Sequence, residues 1–301
     1  MRAQGDSSNP DLRAALELLL TAGGKRIRPT VTLLTGKMLG APIDKLITLG
    51  AAVELLHTAT LVHDDLIDGA LLRRGSPTLN SQWSPSATVL TGDFIFSRSA
   101  KLAAETNSVE LMKIFTQTLT TIVNGEITQL FSSRCQLNRE NYYQRIYAKT
   151  ASLFETSTRT AALLSPAGNQ AIEEMRSYGY NIGMAFQIID DILDLNGEQA
   201  TLGKPVGSDL RQGIITLPVY FYTDNHPDDE VVGRLISGEC LDAEQAEYLV
   251  NCVRHSSAIS LAYDEAARYI SKAQNVLDRQ PDNPERHGLA QLANYIIERR
   301  L

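Results

Sequence analysis

The feature that most constrains this chain is its periodicity. Ala, Leu, Glu, Gln and Arg fill long segments in which apolar residues recur three and four positions apart, which is the pattern of amphipathic helices. Strict period-2 alternation is scarce, so no sizeable sheet is expected. Asn9-Pro10 opens a first helix and Gly23-Gly24 closes it. Further helices are expected from Pro29 toward Gly40, from about 44 to 68, and at about 86–105, 108–133, 139–164, 169–196, 212–224, 242–254, 256–278 and 284–299. Breakers fall between them at Ser76-Pro77, Ser84-Pro85, 165–168 and 203–207. A chain of 301 residues can bury a substantial core and still enclose a pocket. No composition shift or fixed-period repeat divides it, so one all-α domain over 1–301 is expected.

Two acidic clusters with the same spacing stand out, Asp64-Asp65-Asp68 and Asp190-Asp191-Asp194. Residues four apart share a helix face, so Asp64 lies over Asp68 and Asp190 over Asp194. Like charges held this closely repel one another until a cation neutralises them. Hard oxygen ligands suit Mg²⁺, particularly where substrate phosphates complete its shell. One such cluster alone reads equally well as a solvated acidic face. Here Leu61-Val62 and Phe186-Gln187-Ile188-Ile189 precede the two clusters, and acidic groups directly after apolar runs sit more readily at the mouth of a core.

Basic residues accompany the acids. Lys25, Arg26 and Arg28 follow Gly23-Gly24; Arg73 and Arg74 follow the first cluster; Lys149-Thr150 and Lys204 are further candidates. Each alone is more often a surface residue, but a diphosphate needs fixed cationic donors, and Arg offers a planar fork for phosphate oxygens. His57 lies seven residues before Asp64, on nearly the same face; it reads as a phosphate contact or as a satisfied core histidine. The formal charge is −7, with no Lys/Arg block, which argues against nucleic acid as a partner. Cys135, Cys240 and Cys252 are odd in number and lack CxxC spacing. Neither a disulfide framework nor a zinc site is expected, and a reducing cytoplasm fits. The polar first ten residues carry no signal-peptide pattern, and no run of about 18 apolar residues predicts a membrane span.

With these residues in view, the chain resembles the trans-isoprenyl (polyprenyl) diphosphate synthase family over nearly its whole length. The resemblance rests on seven motifs in the expected order: GGKRIRP at 23–29, ELLHTATLVHDDLIDGALLRRG at 54–75, GD at 92–93, GEITQL at 125–130, KT at 149–150, GMAFQIIDDILD at 183–194, and LGKPVGSDLRQGIITLP at 202–218. It implies an all-α isoprenoid-synthase-type bundle around a deep central cavity, usually as a homodimer. It implies that an allylic diphosphate ionises, that isopentenyl diphosphate attacks the carbocation, and that proton loss leaves a chain one five-carbon unit longer. Mg²⁺ is the implied cofactor, as three ions around bound diphosphate. Asp64 and Asp68 would bind metal from one side and Asp190 from the other. Asp65, Asp191 and Asp194 would help directly or through water. Arg73, Lys149, Thr150, Gln187 and Lys204 would hold the allylic diphosphate. Lys25, Arg28, His57 and Arg74 would hold isopentenyl diphosphate. The departing diphosphate is the implied base, and the product could be handed to a membrane.

Three departures from the family pattern matter. Ile214 stands where many relatives carry a second Lys, Gly69 replaces a common acidic residue, and only 22 residues precede Gly23, so the N-terminus reads as naturally short or truncated. One turn below Asp64 the side chains are the small Ala59 and Thr60, where an aromatic would stop a growing tail. A helical turn of about 5.4 Å is close to one isoprene unit, so a product of at least about C20, and more in keeping with C30–C50, is expected. Two rivals remain. A terpene cyclase shares the fold class, but its second metal motif reads NSE or DTE rather than DDILD. A synthase-like subunit of a heteromeric prenyltransferase would bind a partner without turning over, though such subunits typically lose their Asp clusters.

Overall fold

The structure, a computed structural model, describes residues 10–21, 24–73, 75–131, 135–196 and 206–299. Lys204 and Arg74 lie outside the described residues. The chain runs through α1 (Pro10–Thr21), α2 (Ile27–Met38) and α3 (Ile43–Ile67), then a small hairpin of β1 (Leu72–Arg73) and β2 (Ser76–Pro77). It continues through α4 (Leu79–Gln82), α5 (Pro85–Glu105), α6 (Val109–Phe131) and α7 (Arg139–Ile146). A π-helical turn (Tyr147–Ala151) leads into α8 (Ser152–Leu163), followed by the long α9 (Asn169–Asn196). The remainder is α10 (Ser208–Arg211), α11 (Leu217–Asn225), α12 (Glu230–Ile236), α13 (Ala243–Arg254), α14 (Ala258–Leu277) and α15 (Pro284–Glu298). The all-α architecture expected from periodicity is what forms.

Differences from the sequence reading have local causes. The helix expected from 212 begins at Leu217, because Gly213 takes a left-handed turn (φ 77°) and Thr216 is extended before Pro218. The seven-residue α12 is too short to show periodicity; its start is set by the Asp229 carboxylate, which accepts from the Val231 and Val232 amides. The single helix expected at 139–164 is interrupted by the π turn. The expectation of no disulfide is corrected: Cys135 and Cys240, 105 residues apart, are joined, while Cys252 is free. Spacing arithmetic cannot show that residues so distant in sequence meet in space.

Two apolar clusters flank the middle of the molecule. One gathers Leu46, Leu49, Val53 and Leu56 of α3 with Ile95 and Leu102 of α5 and Phe115 of α6. The other gathers Ile182, Ile189 and Ile192 of α9 with Ala262 and Ile270 of α14 and Leu289 of α15. Helix α8 joins them, giving Leu153 to the first and Phe154 to the second. By length and composition α3 could cross a membrane, yet 61% of its most apolar stretch is buried inside the protein; an all-round apolar helix is what a core position requires. Close approach of the π turn and α9 depends on glycine: a Cβ at Gly183 would lie 2.6 Å from the Ala151 Cα, backbone that cannot step aside. This contact brings the π turn against the helix that carries the second acidic cluster.

Candidate active site

Between the two clusters lies a cavity of about 740 Å³. Helix α3 supplies His57, Thr58, Thr60, Leu61, Asp64, Asp65 and Asp68 to its wall, and α9 supplies Phe186, Gln187 and Asp190. Lys25, Arg26 and Arg28 enter before and within α2, Arg73 from the hairpin, and Lys149 and Thr150 from the π turn. Leu18 and Leu19 of α1 close part of the apolar side. A smaller hollow between Trp83, Ala87 and Leu90 carries one carboxylate, Asp11, and none of this clustered charge.

Each charged group is placed by a local device. Asp64 lies in the last turn of α3 and Asp68 is its C-cap, with the Asp68 amide bonded to the Asp64 carbonyl. Gly69 follows at φ 63°, a conformation glycine adopts without a Cβ penalty. The hairpin then folds back so that Arg73 Nε donates to Asp65 Oδ1 at 2.8 Å. Arg26 sits at the N-cap of α2 with φ 49°, a left-handed conformation uncommon for a side-chain-bearing residue, and it is held by a 2.5 Å ion pair to the buried Glu54. The π turn adds a residue to the helical path, as such turns often do at functional sites, and it carries both Lys149 and Thr150.

The electrostatics are those of carboxylates buried among several cations, with burial the dominant influence. Burial raises Asp64 to about 6; Lys149 pulls it down while Glu126 and Asp68 push it back up. Asp65 is also raised, by burial, against the pull of Arg73. Lys149 donates to Glu126 Oε1 at 3.0 Å. Burial works against its charge, but Asp64 and Glu126 outweigh burial and its pKa ends above the usual range. Asp190 is raised by burial, opposed first by Arg299; its side chain is 36% open, but to a protein-lined cavity, which solvates it less well than bulk water does.

The second cluster divides its labour. Asp190 alone among its three carboxylates lines the cavity. Asp191 is buried and accepts from the Tyr142 hydroxyl and from Gln187 Nε2, both at 2.8 Å. Gln187 in turn accepts from Thr150 Oγ1 at 2.6 Å. Burial and then the Asp209 charge push Asp191 up to about 7, against its hydrogen bonds. Asp194 is buried too, accepting from Ser208 Oγ at 2.8 Å and from the Asp209 amide at 3.3 Å. The structure therefore places Asp191 and Asp194, read from sequence as metal carboxylates, on protein donors behind the cavity wall. Ala59 likewise packs in the α3 core, and only its neighbour Thr60 lines the cavity. Ile214 is outside the lining; its amide bonds to the Asp209 carbonyl.

Glu126, Tyr142 and Arg299 belong to this constellation and were not singled out from sequence. Glu126 lies within the GEITQL segment, so a signal existed. Tyr142 and Arg299 reach Asp191 and Asp190 from 49 and 109 residues away, and no local pattern marks them. Among the described residues no three acidic, His or Cys side chains by themselves enclose an ion. Asp64, Asp68 and Asp190 facing one cavity still fit Mg²⁺, which keeps several waters and takes its remaining ligands from bound phosphates.

The polyprenyl synthetase family model matches residues 9–253. Component 2 of the heptaprenyl diphosphate synthase of Geobacillus stearothermophilus is 37% identical over 300 residues, covering 99% of this chain and 92% of that protein. The octaprenyl diphosphate synthase of Escherichia coli is 32% identical, covering 93% and 88%. Among solved structures, a Caulobacter crescentus polyprenyl synthase complexed with calcium and isoprenyl diphosphate superposes with a TM-score of 0.91 at 36% identity, covering 100% of this chain and 92% of that one. The heptaprenyl diphosphate synthase of Staphylococcus aureus superposes at 0.93 with 31% identity, covering 99% and 94%. With fold, motif order and cavity in agreement, this chain belongs to the polyprenyl synthetase family, as a trans-polyprenyl diphosphate synthase of the medium- to long-chain kind.

Proposed function

We propose that this protein is a Mg²⁺-dependent prenyltransferase that adds isopentenyl diphosphate to an allylic diphosphate and releases a longer all-trans polyprenyl diphosphate. The observation that carries this reading is the single cavity in which Asp64 and Asp68 share space with Asp190 and with Lys25, Arg28, Arg73 and Lys149. Asp64, Asp68 and Asp190 would hold the metal, whose bound charge would stabilise the leaving diphosphate. Lys149 and Arg73, beside the α3 carboxylates, orient the allylic diphosphate; Lys25, Arg28 and His57 form the second anion site. These cations are preplaced where negative charge grows as the C–O bond breaks. Leu18, Leu19 and Leu61 keep water from the carbocation. The double bond of isopentenyl diphosphate then forms the new C–C bond, and the released diphosphate takes the proton.

Product length of about C30–C50 follows from the small Thr60 side chain one turn below Asp64, at about one helical turn per isoprene unit. Thr60, which lines the cavity while Ala59 does not, is the position we assign to the gate. The test is incubation of the purified chain with Mg²⁺, an allylic diphosphate and radiolabelled isopentenyl diphosphate. Labelled products longer than about C20 are expected, and Thr60→Phe shortens them. Absence of incorporation, or hydrocarbon made from the allylic diphosphate alone, contradicts the reading.

A homodimer is part of the proposal. Val123, Ile127, Leu130 and Phe131 form one apolar face of α6, and Phe131 is 85% exposed; Leu90 on α5 is 67% exposed. Such a patch marks an interaction surface. The relative named component 2 favours a second reading in which a different subunit covers that face. Sedimentation and activity of the chain alone separate the two: an active dimer supports the first, an inactive monomer the second.

A further inference from the structure

Helix α15 ends at Arg299, its C-cap, where the chain turns out of the helix at φ −56° and ψ 115°. The Arg299 side chain is only 9% exposed. Its Nη2 donates to Asp190 Oδ1. Its guanidinium lies over the Phe186 ring, 4.2 Å from the centroid, one turn before Asp190 on α9. Its Nε and Nη1 are buried with no hydrogen-bond partner. A guanidinium with two nitrogens left without acceptors away from water is costly. It lines the same cavity as Lys25, Arg28 and Asp190, so those idle donors adjoin the space an anion would fill.

We propose that Arg299 is a positioning residue that occupies the cation place on Asp190 in the metal-free protein and yields it when a divalent cation and a diphosphate arrive together. The inference rests on reading Asp190 as a metal carboxylate. A guanidinium and a divalent cation cannot both hold the Asp190 oxygen closely, because their charges repel. Metal alone must therefore displace Arg299 into a cavity already rich in cations. A diphosphate removes that obstacle, since it gives the displaced guanidinium an anionic partner for all of its N–H groups. Metal and diphosphate thus raise one another's affinity, and the coupling is reciprocal. The arrangement keeps the second cluster from loading metal before substrate is present.

The experiment measures Mn²⁺ binding to the full chain by the loss of the free-ion spectrum, with and without inorganic diphosphate. Arg299→Gln binds Mn²⁺ alone about tenfold more tightly than the wild type, and diphosphate then adds correspondingly less. Adding Asp190→Asn to Arg299→Gln abolishes the gain. Circular dichroism checks folding, and Arg299→Met, expected to behave alike, replaces Arg299→Gln if that variant does not fold. Unchanged Mn²⁺ affinity in the folded variant overturns the proposal, as does a gain that survives Asp190→Asn. If the wild type transfers prenyl groups while Arg299→Gln changes nothing, this inference fails and the proposed function stands. If the wild type neither transfers nor binds Mn²⁺, both fail.

Discussion

The two DDxxD clusters have the same letters and the same helical spacing, yet the fold uses them differently. On α3 the cluster ends the helix, all three carboxylates line the cavity, and Arg73 and Lys149 stand beside them. On α9 the cluster is embedded: Asp190 faces the cavity, Asp191 is bonded by Tyr142 and Gln187, and Asp194 by Ser208 and the Asp209 amide. The contrast follows from surroundings rather than from position along the helix. Both clusters lie near a helix end, but Asp191 and Asp194 are buried against Tyr142 and the Ser208–Asp209 segment, and buried carboxylates must satisfy their charges with protein donors. Under the proposed function the first cluster would serve as a ligand set. The second would offer one ligand, Asp190, backed by a scaffold that fixes Gln187, Thr150 and the segment starting α10.

The largest effect that would break this comparison is catalytic. Asp64→Asn should lower transfer by roughly 10²–10³-fold with little change in Tm in excess Mg²⁺, as loss of a group that stabilises developing charge does. Asp191→Asn should do the reverse. It loses about 1–3 kcal/mol of stability by disturbing the Tyr142 and Gln187 bonds, and its steady-state rate falls less than about tenfold. Similar rate losses in both would erase the distinction.

A smaller effect concerns how the two sides meet. Gly183→Ala places a Cβ 2.6 Å from the Ala151 Cα. It should cost about 1–3 kcal/mol in a denaturant titration, with a rise in KM for the allylic substrate as the π turn moves off α9. An unchanged stability would show that the helices are not held at that separation.

The smallest effect is electrostatic. Asp64 rises from 3.8 to about 6 and Asp191 from 3.8 to about 7 on folding. For raised groups the contribution to stability is fully present below 3.8 and is lost as pH climbs through the folded values. Without metal, Tm should therefore fall as pH rises from about 4 to about 7. Asp64→Asn should remove the part of that fall that is complete near pH 6, and excess Mg²⁺ should flatten more of the Asp64 part than of the Asp191 part. A Tm that rises over this range in chelator would contradict the assignment.

Much of this was legible in the sequence for physical reasons. Helical period and Gly/Pro breakers located α3, α5, α6, α9 and α13 through α15 to within a few residues. Asp64 and Asp68 were legible because four-residue spacing fixes a shared face whatever surrounds it. Spacing could not separate Asp190 from Asp191 and Asp194, because which carboxylate faces a cavity depends on partners such as Tyr142, 49 residues away. The π turn that aims Lys149 was hidden inside a uniform helical pattern. The Cys135–Cys240 bond and the Arg299 contact, spanning 105 and 109 residues, are purely tertiary.

The claim that one cluster binds metal as a set and the other through a single carboxylate is tested most directly by counting ions. Mn²⁺ bound per folded chain in saturating inorganic diphosphate should be measured for the wild type, Asp68→Asn and Asp194→Asn. Asp68→Asn is expected to lose at least one ion, and Asp194→Asn to keep the wild-type count. An equal loss in both variants would mean that the α9 cluster binds metal as the α3 cluster does.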